Sequence, residues 1–518
     1  MLNTSAAYQA AIVADSRKTL IRAVVDLISP DIVYSAGTTS GATTYSDLDQ
    51  LHNKVFETSG PYATLETNRW TLDGSFSVAP PSGEVGWESD TLTDANGENG
   101  TAWAQINFSG VSILQACSVY FPDADYNGVP TDFTVDVYSG GSVAHTETFT
   151  GNTESFVKLT GFAVNNPDGI RVTVTGTSLP YRRARVVEIV AGVYEIWGND
   201  DLAGAEISNQ ADFAAVSTPY GTCMLVVDNS TGRFSPRNKS GLFSSLEDRQ
   251  GIEMSIGVRG AEYVPAGIYY QYSGGWKSGT SGLTMTWSLV DIIGLLAPRE
   301  FALPSPRPST LEGWVSEIVS QLGTNFAGHY TLDGLTGSMA MSAGSADLSS
   351  GVTCGQLLMW VCQRACCYMR ADPETGYLVL SSSLPVTGNN YTLDNLSVYP
   401  EERANNDVAA ITFKFLDGTQ YVVSGESASS PSTISIDNPF IQTTALADAT
   451  AAWILQFYGG NAVETTGRGD PSTELGDLVT VEFDNNESET ARVVYQTFAW
   501  SNGVMQGCKT RAIEVSGV

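Results

Sequence analysis

Over much of the chain, apolar and polar residues alternate with a period of two. Ala102, Ala104, Ile106 and Phe108 alternate with Thr101, Trp103, Gln105 and Asn107. Phe133, Val135 and Val137 alternate with Thr134, Asp136 and Tyr138, and Ile170, Val172 and Val174 with Arg171, Thr173 and Thr175. Successive side chains of a strand point to opposite faces, so this period predicts half-buried antiparallel strands. Several such strands within roughly a hundred residues, with turn residues between them, predict a sandwich or jelly roll. We read residues 76–183 as a self-contained jelly roll inserted into another domain. Its ends, near Gly74 and Tyr181, are then expected close together.

The pattern changes on both sides of that region. Residues 5–36 predict a short helix and a strand, and the Gly/Ser/Thr-rich stretch 37–46 a loop. Strand patterning resumes at Ala184, with Val187–Val190 and Tyr194–Leu202. Asn229, Phe234-Ser235-Pro236, Gly241 and Arg249 punctuate the run to Gly257, and another strand spans Ile268–Tyr272. Pro304, Pro306 and Pro308 make a stiff linker. Beyond it the period becomes helical. Trp314, Ile318 and Leu322 share one stripe of a helix over 311–322, and Leu357, Leu358, Val361, Cys362 and Ala365 one face of a second over 353–366. A hairpin follows, with its turn at Asp372–Gly376. After Asp407 the pattern predicts strands, one helix over 444–458 ending at Gly459-Gly460, and a last hairpin from Leu478–Phe483 and Ala491–Trp500.

The expected fold class is therefore mainly β with an α+β part. Its pieces are a discontinuous β-barrel-like domain at 1–75 and 184–303, the jelly roll at 76–183, a small α+β domain at 304–395, and a second β-barrel-like domain with one helix at 396–518. A length of 518 residues requires several cores. A hydrophobic fraction of 42% against 16% charged residues excludes wholesale disorder.

Charge narrows the function. With 26 basic and 56 acidic residues the net charge is −30. Nucleic-acid affinity rests on Lys and Arg releasing counterions, so a phosphate-binding surface is not expected. An acidic surface keeps a protein soluble and lets DNA slide past without sticking. The N-terminus lacks a basic region followed by an apolar one, and no apolar run is long enough to span a membrane. Synthesis in the cytoplasm without a signal peptide is the expectation. The seven cysteines are an odd number in a long chain, which argues against a disulfide framework.

Candidate chemistry is sparse. Cys362, Cys366 and Cys367 lack metal-knuckle spacing and have no nearby histidine; they read as buried small apolar groups. The three histidines, His52, His145 and His329, fall in no zinc-protease pattern, and there is no nucleophile elbow or phosphate loop. We expect no enzyme and no cofactor. Arg468-Gly469-Asp470 spells an adhesion tripeptide, but with Pro471 after it the better reading is a turn capped by Asp470. Arg182, Arg183 and Arg185 read by default as a solvated basic face.

Two sets of residues carry a family resemblance. Val85-Gly86-Trp87 with Ser89-Asp90, then Asp94-Ala95-Asn96-Gly97 and the Trp103–Phe108 strand, resemble discoidin-type galactose-binding jelly rolls. That resemblance implies a carbohydrate site at Trp87, Asp94, Asn96 and Tyr126, where a ring stacks on a sugar and polar groups take its hydroxyls. A carboxylate-rich turn there would also suit a structural calcium ion. Elsewhere, Tyr62–Glu66 with Asn68–Ser75, Tyr194–Leu202, Asp437-Asn438-Pro439-Phe440, Arg468–Pro471 and Glu474-Leu475-Gly476-Asp477 resemble, in that order, baseplate hub proteins of phage tails, of the type in phages of Gram-positive hosts. The hub resemblance implies a virion-tail location and a homotrimer whose paired barrels meet a sixfold tail tube. Its implied partners are the distal tail protein ring, the tape measure protein, the tail tube, tip or fibre proteins and host cell-wall glycan, with DNA passing through unbound. A tail-associated wall hydrolase and a free adhesin are the rival classes.

Overall fold

The computed structural model describes residues 2–26, 32–43, 46–53, 85–122, 128–192, 194–230, 251–279, 282–323, 326–342, 348, 351–385, 388–404, 407–425, 432–484, 487–505 and 507–514. The fold is mainly β, in several sheets, with short helices. The chain forms two compact units. One holds Met1–Val24, Ile196–Gly232 and Asp248–Val518; the other holds Val25–Glu195 and Arg233–Glu247. The expected hub segments Tyr62–Glu66, Asn68–Ser75 and Phe234–Gln250 lie outside the described residues, as does Tyr126.

The chain opens with α1 (Ala6–Ile12), started by Ser5, whose hydroxyl accepts from the Tyr8 amide. Its apolar side, Tyr8 and Ile12, packs on Val258 and Val264. Strand β1 (Thr19–Asp26) follows.

The second unit is a sandwich. Its strands are β2 (Val33–Thr39), β3 (Trp87–Leu92), β4 (Glu98–Ser109), β5 (Ile113–Tyr120), β6 (Pro130–Ser139), β7 (Ser142–Phe149), β8 (Phe156–Asn165), β9 (Pro167–Thr177), β10 (Arg183–Val186) and β11 (Glu188–Val190). One sheet runs β2-β4-β9-β6-β7 and another β11-β5-β8, with β10 paired to β3 and every ladder antiparallel. The alternating apolar positions Ala104, Ile106, Phe133, Val135, Val137, Ile170, Val172 and Val174 fill one core with Cys117, Val119 and Leu159. The sandwich is wider than the 76–183 span read from sequence. β2 pairs with β4, and β11 with β5, so residues on either side of that span complete its sheets.

The first unit continues with β12 (Tyr194–Trp197), β13 (Leu202–Gln210), β14 (Thr222–Asp228), β15 (Gly251–Val258), β16 (Tyr263–Ser278), β17 (Thr284–Val290) and α2 (Ile292–Leu296). Next come α3 (Leu311–Ser320), β18 (Tyr330–Asp333), α4 (Cys354–Ala365), β19 (Tyr368–Ala371) and β20 (Leu378–Ser381). Thr310 and Thr353 cap α3 and α4 by accepting from Gly313 and Gln356 amides, which satisfies one orphan donor each. Cys366 then ends α4 in a left-handed conformation. The core of this α+β stretch extends to neighbouring elements. Leu311, Trp314, Leu358 and Val361 share a cluster with Ile292, Leu296, Tyr270 and Phe440.

The last part contains β21 (Asn390–Tyr391), β22 (Leu396–Ala404), β23 (Ala410–Lys414), β24 (Gln420–Ser424), β25 (Thr433–Ile436), α5 (Thr444–Leu455), β26 (Asn461–Gly467), β27 (Leu478–Glu482), β28 (Ser488–Ser501), β29 (Val504–Met505) and β30 (Cys508–Glu514). Helix α5 lies in a small cluster with the β24-β23-β25 sheet through Ile411, Phe413, Ala447, Ala451 and Ile454. The early and late strand sets, expected as two barrels, are joined in one 14-stranded sheet. Its order is β12-β1-β15-β16-β17-β14-β13-β28-β30-β26-β22, with β27, β21 and β29 attached alongside. The joint is the antiparallel ladder from Gly204↔Ser501 to Gln210↔Tyr495.

Candidate functional site

Of the residues expected to hold a sugar, Trp87, Asp94 and Asn96 are described. Trp87 begins β3 and is 1% exposed, and its indole N–H donates to Thr39 Oγ1 at 2.6 Å. Its ring packs inside the sandwich core and presents no face for stacking. Asp94 holds the turn between β3 and β4: its Oδ1 accepts from the amides of Asn96 at 2.8 Å and Glu98 at 2.9 Å. Gly97, at φ +79, completes that turn, because a Cβ there would stand 2.4 Å from the Thr177 carbonyl oxygen. Asn96 is exposed. Trp103 differs from Trp87, since it faces outward from β4 and stacks on Arg171.

Arg182, Arg183 and Arg185 are buried, contrary to the solvated reading. Arg185 is ion-paired with Glu88 at 3.1 Å, both side chains about 2–3% exposed. The Arg183 guanidinium donates to the Ser89 carbonyl at 2.6 Å. The physical reason is the β10–β3 ladder, which sets Arg185 opposite Glu88. Removing one partner of such a pair leaves an uncompensated buried charge.

Two of the hub-like motifs in the first unit, Arg468–Pro471 and Glu474–Asp477, form turns held by side-chain hydrogen bonds. Asp470 Oδ1 accepts from the Ser472 amide at 2.9 Å and its hydroxyl at 2.8 Å, and from the Tyr8 hydroxyl at 3.3 Å; Oδ2 accepts from Asn389 at 3.0 Å. Gly469, at φ +72, lets the turn approach Cys508, where a Cβ would meet Sγ at 2.8 Å. The tripeptide is thus a structural turn that seats the N-terminal arm. Arg17 donates to the carbonyls of Ile12, Arg468 and Gly469, and Arg468 donates to the Asp15 carbonyl at 2.9 Å. Leu2 N–H reaches the Ser472 carbonyl at 2.9 Å, and Glu262 accepts from the Ser5 amide and hydroxyl. Burial lowers the Arg17 pKa, and the neighbouring Arg468 adds to that. Burial and Asp470 both raise Tyr8. In the second motif, Asp477 Oδ2 accepts from the Glu474 amide at 2.8 Å, and Arg492 holds the Gly476 and Pro385 carbonyls. A cavity of about 350 Å³ lies along this seam, lined by Arg17, Asn389, Tyr391, Arg468, Asp470 and Cys508 among others.

Other chemistry-bearing groups have structural surroundings. Cys362 and Cys367 are fully buried, and burial holds Cys367 far above the ordinary thiol range. His52, His145 and His329 stack on Tyr34, Phe162 and Tyr377. Among the described residues no group of three or more His, Cys, Asp or Glu stands close enough to hold a metal ion. No helix among them is long and apolar enough to cross a membrane. Asp291 caps α2 through Gly294 and also accepts from Gly221; burial pushes it up to about 7 while those amides pull it down.

No family model and no curated protein matches the sequence. Solved structures do. A tail protein from Neisseria meningitidis aligns at 16% identity with TM-score 0.43, covering 62% of this chain and 94% of that one. A 43 kDa prophage tail protein from Shewanella oneidensis aligns at 18% identity with TM-score 0.41, covering 62% and 95%. A prophage tail protein from Listeria monocytogenes aligns at 11% identity with TM-score 0.37, covering 63% and 92%. The solved structures this chain is similar to also include virion baseplates.

Proposed function

We propose that this chain is a structural hub protein of a phage tail or tail-like particle. It acts as a homotrimer that closes the tail tube and anchors tip or fibre proteins, and it is not an enzyme. The observation that supports this most is the single sheet tying the early and late strand sets together through β13 and β28. Main-chain pairing holds two β faces of one chain in a fixed relation. Three such chains offer six faces, which lets a threefold body bond evenly to a sixfold tube. The ordered sequence resemblance to hub proteins points the same way. The N-terminal arm, clamped by Arg17 onto the Arg468–Asp470 turn, stiffens that frame.

On this reading the distal tail ring, tape measure protein and tail tube bind on one side, and tip or fibre proteins on the other. DNA passes an acidic wall and is not specifically bound, in keeping with a net charge of −30. The sandwich is the side domain that meets host surface glycan. Light scattering and threefold-averaged images of the purified protein test the hub role. The expected particle contains three chains of 55.1 kDa around a central opening. A persistent monomer at micromolar concentration overturns it. Release of fragments from purified cell walls, abolished by carboxylate substitutions, overturns the non-enzymatic role.

A further inference from the structure

The outer face of the five-stranded sheet carries a constellation that the expected sugar residues do not include. In register across β4, β9 and β6 stand Gln105, Arg171 and Asp136. Trp103 lies in the next row on one side and Tyr138 in the next row on the other. The Arg171 guanidinium sits between the two rings, 3.9 Å from the Trp103 centroid and 4.9 Å from that of Tyr138.

A relay of amides fixes this guanidinium. Arg171 Nε donates to Gln105 Oε1 at 2.9 Å, Gln105 Nε2 donates to Asn107 Oδ1 at 2.6 Å, and Asn107 Nδ2 donates to the Ala36 carbonyl at 2.9 Å. Gly169 leaves room for the relay, since a Cβ there would come within 3.0 Å of Gln105 Nε2. The two terminal nitrogens of Arg171 make no hydrogen bond to any described residue. Asp136, directly opposite, does not pair with Arg171; its Oδ1 accepts from Thr146 at 2.6 Å, and Oδ2 stays available. The face therefore offers a rigid planar donor fork, a carboxylate acceptor and two aromatic rings, all half-buried and on strands.

We propose that this face is a carbohydrate-binding site for a surface polysaccharide. Vicinal sugar oxygens accept from the Arg171 fork, a third hydroxyl donates to Asp136, and a pyranose face lies against Tyr138 or the free edge of Trp103. The fork is already ordered by the rings and by Gln105, so binding does not have to immobilise a long side chain. A face built only for packing would spend the arginine on the opposed aspartate. The assignment rests on the reading of the sandwich as the glycan-meeting domain, but not on the trimer.

The test uses the full chain on an array of bacterial polysaccharides comprising neutral hexose, aminosugar and uronate polymers. Retention on at least one polymer is expected. Arg171→Ala and Trp103→Ala should each weaken it at least tenfold, and Asp136→Asn and Arg171→Lys, which keep the side-chain volumes, should weaken it without moving the thermal midpoint. Trp87→Phe, in the core, should leave it unchanged. Binding to no polymer, or equal binding by wild type, Asp136→Asn and Arg171→Lys, overturns the site. Loss of glycan binding with a trimer intact removes this proposal alone; a monomer that still binds glycan removes the hub role alone.

Discussion

The two compact units solve the same problem, burial of β-strands, with different sequence economies. The sandwich pairs strands drawn from one stretch of chain, and its aliphatic core comes from simple alternation. The 14-stranded sheet instead pairs strands from opposite ends of the chain, and polar side chains tie its loops down. Arg17, for example, reaches the Arg468 carbonyl across 451 residues of sequence. A unit made of neighbouring strands tolerates being grafted or removed. A unit whose ends close on each other does not, because its stability depends on long-range closure.

The sharpest test of that difference is Arg185→Ala. It removes the buried charged partner of Glu88 and should cost the sandwich about 3–5 kcal/mol. Differential scanning calorimetry should show one transition falling and a second unmoved. Equal shifts in both would break the two-unit description. Arg17→Ala should act on the other unit. Losing a charged donor to three carbonyls costs about 2–3 kcal/mol, and hydrogen exchange should rise over residues 2–17 and 468–472 but not in β4, β6 or β9. Uniform protection in the variant counts against a clamped arm.

A pH experiment sharpens the contrast further. Burial raises Asp291 from 3.8 to about 7, so the folded state holds a proton that the unfolded chain has released in this window. Stability of the first unit should therefore fall as pH rises between those values. Asp291→Asn keeps the helix cap and should flatten that slope, read as thermal midpoint against pH. An unchanged slope assigns the effect elsewhere. The smallest effect is expected from Thr353→Ala. It removes the α4 cap for about 1 kcal/mol, again confined to the first unit.

What could be read in the sequence follows the range of the forces involved. The helices over 311–322 and 353–366 were visible because an apolar stripe is a local signal, and the one over 444–458 by its glycine stop; α3, α4 and α5 lie within those spans. The strands at 101–108, 133–138 and 170–175 were visible by alternation and form β4, β6 and β9 of one sheet. Alternation says nothing about which strand lies alongside. Hence β2 was assigned away from its partner β4, and the β13–β28 joint went unseen. Charge type misled for Arg185, since its partner Glu88 is distant in sequence. Composition misled at Trp87, where the indole N–H finds Thr39 inside the fold. The outward face around Arg171 was present in the alternation of β4, β6 and β9. Only the cross-strand register brings its members together.

The β13–β28 ladder has a mechanical consequence. Opposed tension along two antiparallel strands loads the rungs from Gly204–Ser501 to Gln210–Tyr495 in shear, so they must fail together and not one after another as in a zipper. A pull applied lengthwise to either strand is thus shared along the whole joint.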